Sequence, residues 1–321
     1  MTFSTFFNEY WLDISQLFSN SQQRLYWGYL LSALAIAFTW QFYKKGNHLI
    51  ASAKQAVNLQ SWLSQSARAD YFLIIVNKAI FILLSPLLLT KLAVGTLVFE
   101  SLHTVITPNS YLAHATPSWL VVTLFTLTLF TLDDFARFYL HKLMHQIPWL
   151  WQFHKTHHSA EHLTPLTVLR THPFEGLLFS IRSAIVQGVC IGSFIYFFAN
   201  KVDLYTILQV NVLIFVFNVA GANLRHSHIS IGYWRWLENI IISPAQHQIH
   251  HSTAPRHFNK NYGAVLAIWD KLFGSHCYNE MNNNLRFGIS EQKDPLQHSI
   301  YNLYIKAFVE IYRSSIKAFK Q

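Results

Sequence analysis

Residues 119–158 read WLVVTLFTLTLFTLDDFARFYLHKLMHQIPWLWQFHKTHH. From Trp119 to Leu140 the stretch is apolar and long enough to cross a bilayer, which takes about 20 residues. It then runs directly into five histidines, His141, His145, His154, His157 and His158. An apolar span ending in a histidine cluster sets the reading of the rest: a membrane bundle with a polar, histidine-bearing cap at one end.

Composition agrees. Of 321 residues, 52% are hydrophobic, 16% aromatic and only 12% charged, where a soluble domain carries about 25% charged residues. The formal charge is +9, but the basic residues are scattered with no Lys/Arg-rich run, so a membrane face rather than nucleic acid accounts for it. Cys190 and Cys277 form neither a CxxC pair nor a disulfide framework. The stretch MTFSTFFNEYWLDIS lacks a basic start followed by an apolar run, so no cleavable signal peptide is expected.

Five apolar stretches are candidate spans: Tyr26–Tyr43, roughly Tyr71–Phe99, Trp119–Leu140, Leu177–Phe198 and Leu204–Gly221. The second carries Pro86 in its middle and reads as a kinked span or as a span plus a surface segment. If the first span exits on the cytoplasmic side, segments 44–70, 137–175 and 225–321 share that side and hold 19 of the 24 Lys and Arg residues, a strong positive-inside bias. The same topology gathers sixteen of the eighteen histidines on one face, thirteen of them within 141–172 and 226–257. From Pro295 the tail has helical apolar spacing and reads equally as a helix on the bilayer surface or as an ordinary packed helix.

The histidine spacing has chemical meaning. In HKLMH, His141 and His145 are four apart and share a helix face. HKTHH places His154, His157 and His158 in an HxxHH pattern, and HQIHH repeats it with His247, His250 and His251. Eight imidazoles exceed the four ligands of a single zinc and fit two metal ions better; imidazole alone does not name the metal. HSAEH at 158–162 also matches HxxEH, the inverted zinc-protease pattern, with His158 and His162 as ligands and Glu161 as base, but that reading leaves seven box histidines unused. Asp134 lies two helical turns before His141. It is read as the carboxylate that accepts the second N–H of a ligand ring, or as an interfacial charge paired with Arg137.

At DFARFYLHKLMHQIPWLWQFHKTHHS (134–159), RTHPFE (170–175), NLRHSH (223–228) and SPAQHQIHHS with NKNYGAVLAIWDKLFG (243–274) the chain resembles the fatty acid hydroxylase/sterol desaturase superfamily of membrane di-iron enzymes. The matching stretches cover about a fifth of the chain. All three histidine boxes are intact, and Lys142 stands where Arg is common. The resemblance implies two iron ions (zinc can replace iron on expression), O2 activation, and oxidation of an unactivated C–H bond in a lipid. It implies His141, His145, His154, His157, His158, His247, His250 and His251 as ligands, with a further one between the second and third boxes, His226 first and His228 second. His172 and Glu175 match the family without a ligand role, as supporting groups or a helix start at Pro173, and Asn223 orients a ligand or caps a helix. The chain has no haem, flavin or four-cysteine cluster motif, so a separate reductase is expected.

The expected fold is an all-α integral membrane protein, a transmembrane bundle with a cytoplasmic histidine-rich helical cap holding a dimetal site, with few or no strands. Residues 1–110 form an N-terminal transmembrane region without family match, 111–290 the catalytic domain, and 291–321 an amphipathic helix. A multi-pass location in a bacterial inner membrane is expected over the endoplasmic reticulum. The expected function is O2-dependent lipid hydroxylation. Desaturation on the same scaffold is the alternative in chemistry, and a membrane metal-binding or metal-transport protein the alternative of another class.

Overall fold

A computed structural model describes residues 2–44, 46, 48–107, 110–279, 285–289 and 296–319. Three helical segments among them are long and apolar enough to cross a membrane: Gln65–Val105, Ser118–Gln146 and Pro173–Lys201. Long apolar runs favour helices in lipid because a helix pairs every backbone group internally.

The first of these is a kinked span. Helix Gln65–Leu84 passes through a 3-10 turn, Ser85–Leu87, and helix resumes over Lys91–Val105. Pro86 sits in that turn, where it lacks an N–H and cannot continue the ladder. Both halves run alongside helix Pro173–Phe198 in the same direction. Asn77 donates to the Thr171 carbonyl at 2.8 Å, Phe81 covers Gly176, and Phe99 meets Tyr196. The approach is closest at the glycines: a Cβ on Gly192 would lie 2.4 Å from the Gly95 carbonyl oxygen, and one on Gly188 2.5 Å from Val94. Small residues are what let membrane helices come this near.

Helix Ser118–Gln146 runs the other way. Phe125 packs on Phe194, and Asp133 pairs with Arg182 at 3.0 Å. Its last turns deliver His141 and His145 to the same end as the start of helix Pro173–Phe198.

Two expected spans come out differently. Trp27–Lys44 is an 18-residue helix but is not among the three apolar enough to cross. It runs beside residues 208–231, with Ala33 and Ala37 packed against Leu224, Ile229 and Ile231. The expected span Leu204–Gly221 is broken. Thr206–Ile207 pairs antiparallel with Val210–Asn211 in a small hairpin, followed by the eight-residue helix Val212–Val219. Leu208 and Gln209, at φ 49° and 62°, form its two-residue turn, the positive-φ geometry that matches strand twist. Apolar content signals burial but not period, and here polar groups fix the path: the Tyr205 N–H donates to Thr126 Oγ1, Asn211 Nδ2 to the Thr126 carbonyl, and Asn211 Oδ1 caps the short helix.

The cap is built from short helices and turns over 222–279. Helix Pro244–His250 begins with a reciprocal capping box: Ser243 Oγ accepts from Gln246 N, and Gln246 Oε1 accepts from Ser243 N. Pro244 occupies the first turn, where its missing N–H costs nothing. In the tail, helix Lys306–Phe319 follows a π-turn at Tyr301–Ile305. Leu303 and Ala307 are buried and Phe308 meets Phe153, whereas Tyr312 is 69% exposed. The first half is thus a packed helix and the second an exposed amphipathic one; residues 291–295 and 320–321 of the expected C-terminal element lie outside the described residues.

Candidate metal centre

Four segments bring nine histidines together. The end of helix Ser118–Gln146 supplies His141 and His145. Pro148 restarts the chain as helix Pro148–His158, with His154, His157 and His158 on its last two turns. The 3-10 turn Ala222–His226 ends in His226, and helix Pro244–His250 with its C-cap supplies His247, His250 and His251. The rings sort into two groups, each with one nitrogen per ring within 4.8 Å of every other: His141, His145, His154, His158 and His250, and His157, His226, His247 and His251.

The tautomers follow from the partners. His141 Nδ1 lies 2.8 Å from the Tyr262 carbonyl, His250 Nδ1 2.8 Å from the Lys260 carbonyl and His157 Nδ1 3.2 Å from the Arg170 carbonyl. A carbonyl can only accept, so each Nδ1 carries the proton and each Nε2 presents a lone pair. His154 Nδ1 likewise donates to Glu175 Oε1 at 2.8 Å. Burial drives the pKa of His154, His158, His226, His247, His250 and His251 well below the ordinary histidine value and takes His157 to about 3. The rings are therefore neutral, the form that binds a metal.

The Nε2 atoms of His226, His247 and His251 form a triangle with sides 3.0, 3.2 and 3.2 Å, and His157 Nε2 lies 3.3 Å from that of His226. Each Nε2 is either a donor or an acceptor. Three mutual contacts cannot all be donor to acceptor, so at least one side of the triangle sets like against like. A central cation removes the conflict, because nitrogens bonded to it at ~2.0–2.1 Å lie roughly 2.9–3.4 Å apart. In the other group, Nε2 of His145, His158 and His250 is buried without a partner, a costly state for a polar atom unless a ligand satisfies it. The donor set fits two metal ions.

The supporting groups follow expectation only in part: His172 starts helix Pro173–Phe198 and Glu175 meets His154, but Asp134 and Asn223 serve other partners. Asp134 does not reach His141. Its carboxylate accepts from Val265 N, Leu266 N and Trp269 Nε1 at 2.9–3.1 Å. Seven residues place it about 10 Å up the helix axis, level with the 265–269 loop. Nor is Arg137 its partner; that side chain pairs with Asp133. His172 caps helix Pro173–Phe198 by accepting from Phe174 N and donates to the Tyr304 carbonyl, away from both groups. Asn223 binds Arg24 twice, accepting from its Nε and donating to its carbonyl. His228 donates to the Gln55 carbonyl, outside both groups. His162 is in neither group although His158 is, which separates the two histidines of HxxEH.

The acceptors that orient the rings were missed as such. Asp270 fixes the backbone of Tyr262 and Gly263 through both carboxylate oxygens at 2.8 Å, and the Tyr262 carbonyl then meets His141. A Cβ on Gly263 would lie 2.7 Å from the Leu266 carbonyl oxygen, so only glycine fits. The NYG and WD spacing carried this signal. Arg170, fully buried, pairs with Asp70 at 2.7 Å and donates to Thr156 and Ser159, which fixes the carbonyl held by His157.

A cavity of about 360 Å³ opens on both groups, lined by His145, His158 and His250 from one, His251 from the other, and Trp151 and Phe258. It has the size of a small-ligand pocket.

A family model described as fatty acid hydroxylase matches residues 126–275, which include all nine histidines. The chain is 25% identical over 174 residues to alkylglycerol monooxygenase of Homo sapiens, covering 53% of this chain and 35% of that protein. It is 30% identical over 160 residues to the Delta(7)-sterol 5(6)-desaturase ERG3B of Gibberella zeae (50% and 43%) and 27% identical over 184 residues to the ornithine lipid hydroxylase OlsE of Rhizobium tropici (57% and 51%). The chain thus spans about half or less of the length of these relatives. No solved structure matches it. Over the matched region, with its three boxes intact, the chain is similar to the fatty acid hydroxylase family, and the relatives that share this region are lipid hydroxylases and desaturases.

Proposed function

We propose that the chain is a membrane di-iron oxygenase that hydroxylates a C–H bond of a lipid, using O2 and electrons from a separate reductase. The observation that carries the reading is the convergence of nine neutral imidazoles into two groups that share one cavity. His141, His145, His154, His158 and His250 would hold one ion, and His157, His226, His247 and His251 the other. Bound iron supplies the reduction of O2 and the oxidising power to attack an unactivated C–H bond. The chain's own residues do the rest. Tyr262, Lys260 and Arg170 carbonyls and the Glu175 carboxylate fix ring orientation before any ion binds. Burial of the rings keeps water away. Trp151 and Phe258 give the cavity the apolar wall a lipid chain needs.

Hydroxylation and desaturation begin with removal of the same hydrogen, and the relatives include both kinds of enzyme. A product heavier by one oxygen identifies the first, one lighter by two hydrogens the second. The reading extends to a multi-pass protein of a bacterial inner membrane with the histidine end on the cytoplasmic side, the side that 19 of 24 basic residues favour. The test is elemental analysis of detergent-purified protein from iron-supplemented cells. About two irons per chain are expected, falling in His157→Ala and in His250→Ala. Folded protein that binds no metal ends the proposal.

A further inference from the structure

A second cavity, of about 280 Å³, lies beside the histidine groups between helices Ser118–Gln146 and Val212–Val219. Its lining is mixed. Arg24, Arg137 and Arg225 line it together with apolar Leu129, Phe130, Ile214 and Phe217, while Gln22, Gln187 and Asn211 add neutral polar groups.

Two of these arginines have no carboxylate in contact, though Asp134 acts on Arg225 at longer range. Arg24 donates to the side-chain oxygens of Asn223 and Asn218, and Arg225 to the carbonyls of Ala222 and Ala264. All four acceptors are neutral. Among the described residues neither guanidinium forms an ion pair with a carboxylate. They also crowd each other: both lie over the Phe217 ring, with Cζ at 5.7 and 5.1 Å from its centroid. The two aspartates of the cavity are engaged elsewhere. Asp134 holds three N–H groups of the 265–269 loop, and Asp133 pairs with Arg182 at 3.0 Å and Arg137 at 3.6 Å. Like charges withdrawn from water without an anion are costly. The cost is visible in Arg24, pulled down by burial and then by the charge of Arg225.

We infer that this cavity seats the anionic head group, phosphate or carboxylate, of the lipid on which the histidine centre acts. Guanidinium forks match both anions through paired N–H donors. The volume is just under the ~300–1,000 Å³ of ordinary ligand pockets, room for a head group rather than a whole lipid. Leu129, Phe130, Ile214 and Phe217 offer apolar contact to the attached chain, which a free inorganic ion does not need. Arg225 is the chain neighbour of His226, so the head lies next to the centre and the oxidised carbon lies near the head. That last consequence rests on the oxygenase reading; the binding does not.

The test is native mass spectrometry of the detergent-purified full chain. It is titrated with phosphatidic acid, with diacylglycerol of the same acyl chains, and with inorganic phosphate. Phosphatidic acid is expected to bind at least about tenfold tighter than diacylglycerol, and Arg24→Gln to abolish that preference while leaving diacylglycerol unchanged. Arg137→Gln removes a half-exposed side chain and should fold even if Arg24→Gln does not; it is expected to weaken phosphatidic acid about threefold. Equal affinity for the two lipids, or no change in Arg137→Gln and in folded Arg24→Gln, overturns the inference. So does inorganic phosphate binding as tightly as phosphatidic acid, which would make this a site for the free ion. A chain that binds phosphatidic acid as expected and oxidises no lipid sinks the oxygenase reading alone.

Discussion

The two histidine groups are assembled by different means. In the larger, three of five rings are held from behind: His141 by the Tyr262 carbonyl, His250 by the Lys260 carbonyl and His154 by Glu175. In the smaller, only His157 has such a hold, on the Arg170 carbonyl, and Nδ1 of His247 and His251 is buried without a partner. The larger group is oriented before any ion arrives. The smaller rests on packing; nitrogens conflict in both, since Nε2 of His141 and of His154, 3.1 Å apart, each present a lone pair in the larger, and a cation would relieve either. Preorganisation lowers the cost of binding, so the smaller group should depend more on its ion for order.

The largest effect is expected from His226→Ala. It removes the ring common to most short contacts of the smaller group and should cost more than the 10–100-fold in metal affinity that loss of a supporting partner causes. Iron should fall from about two per chain to about one, with activity lost. Retention of both irons would erase the comparison. Glu175→Leu should cost the larger group about 10–100-fold in affinity, while Glu175→Gln, which still offers an acceptor to His154, should retain most of it; metal titration of both variants separates orientation from packing.

Acid sharpens the contrast next. The metal-free rings have folded pKa values below the ordinary 6.5, by burial, with His157 at about 3. The unfolded chain therefore binds more protons between these values, and the stability of the metal-free protein is lost as pH falls below 6.5. The melting temperature in chelator should drop between about pH 6.5 and 5, with the metal-loaded protein more resistant. A flat profile would mean that the rings are not buried neutral.

A smaller effect is expected at Asp134. Asp134→Ala frees three N–H groups of the 265–269 loop and should cost about 1–3 kcal/mol. It should be seen as a lower melting temperature with both irons retained, whereas loss of iron would return Asp134 to the site. The smallest is at Lys142, whose Nζ lies 4.5 Å from the centroid of the Phe273 ring. Lys142→Ala should cost about 0.5–1 kcal/mol, and Lys142→Arg close to nothing.

What could be read in advance was what is local. His141 and His145, or His154 and His158, meet because four residues make about one helical turn, and no tertiary knowledge is needed. The order of long apolar runs, and so the common end of the bundle that gathers the histidines, is equally local. The path through Leu204–Gly221 was not. It depends on Thr126, some 80 residues away, satisfying Tyr205 and Asn211. Asp134 and Glu175 illustrate the same limit. Both are buried carboxylates near a histidine box, yet one serves a loop and the other a ring, and only the fold of the 262–270 segment decides which. The uncompensated pair Arg24 and Arg225, 201 positions apart in the chain, left no trace in any sequence window.

Three of the four acceptors that orient the histidine rings are main-chain carbonyls. A codon change at Tyr262, Lys260 or Arg170 alters a side chain but cannot delete the carbonyl it leaves behind. Glu175 alone can be lost by a single nucleotide change. In a deep mutational library the centre should thus show an uneven profile, with abrupt failure at the nine histidines and Glu175. A graded response is expected where substitutions act only by shifting the backbone, and Gly263, with no room for a Cβ, should be the sharpest of those.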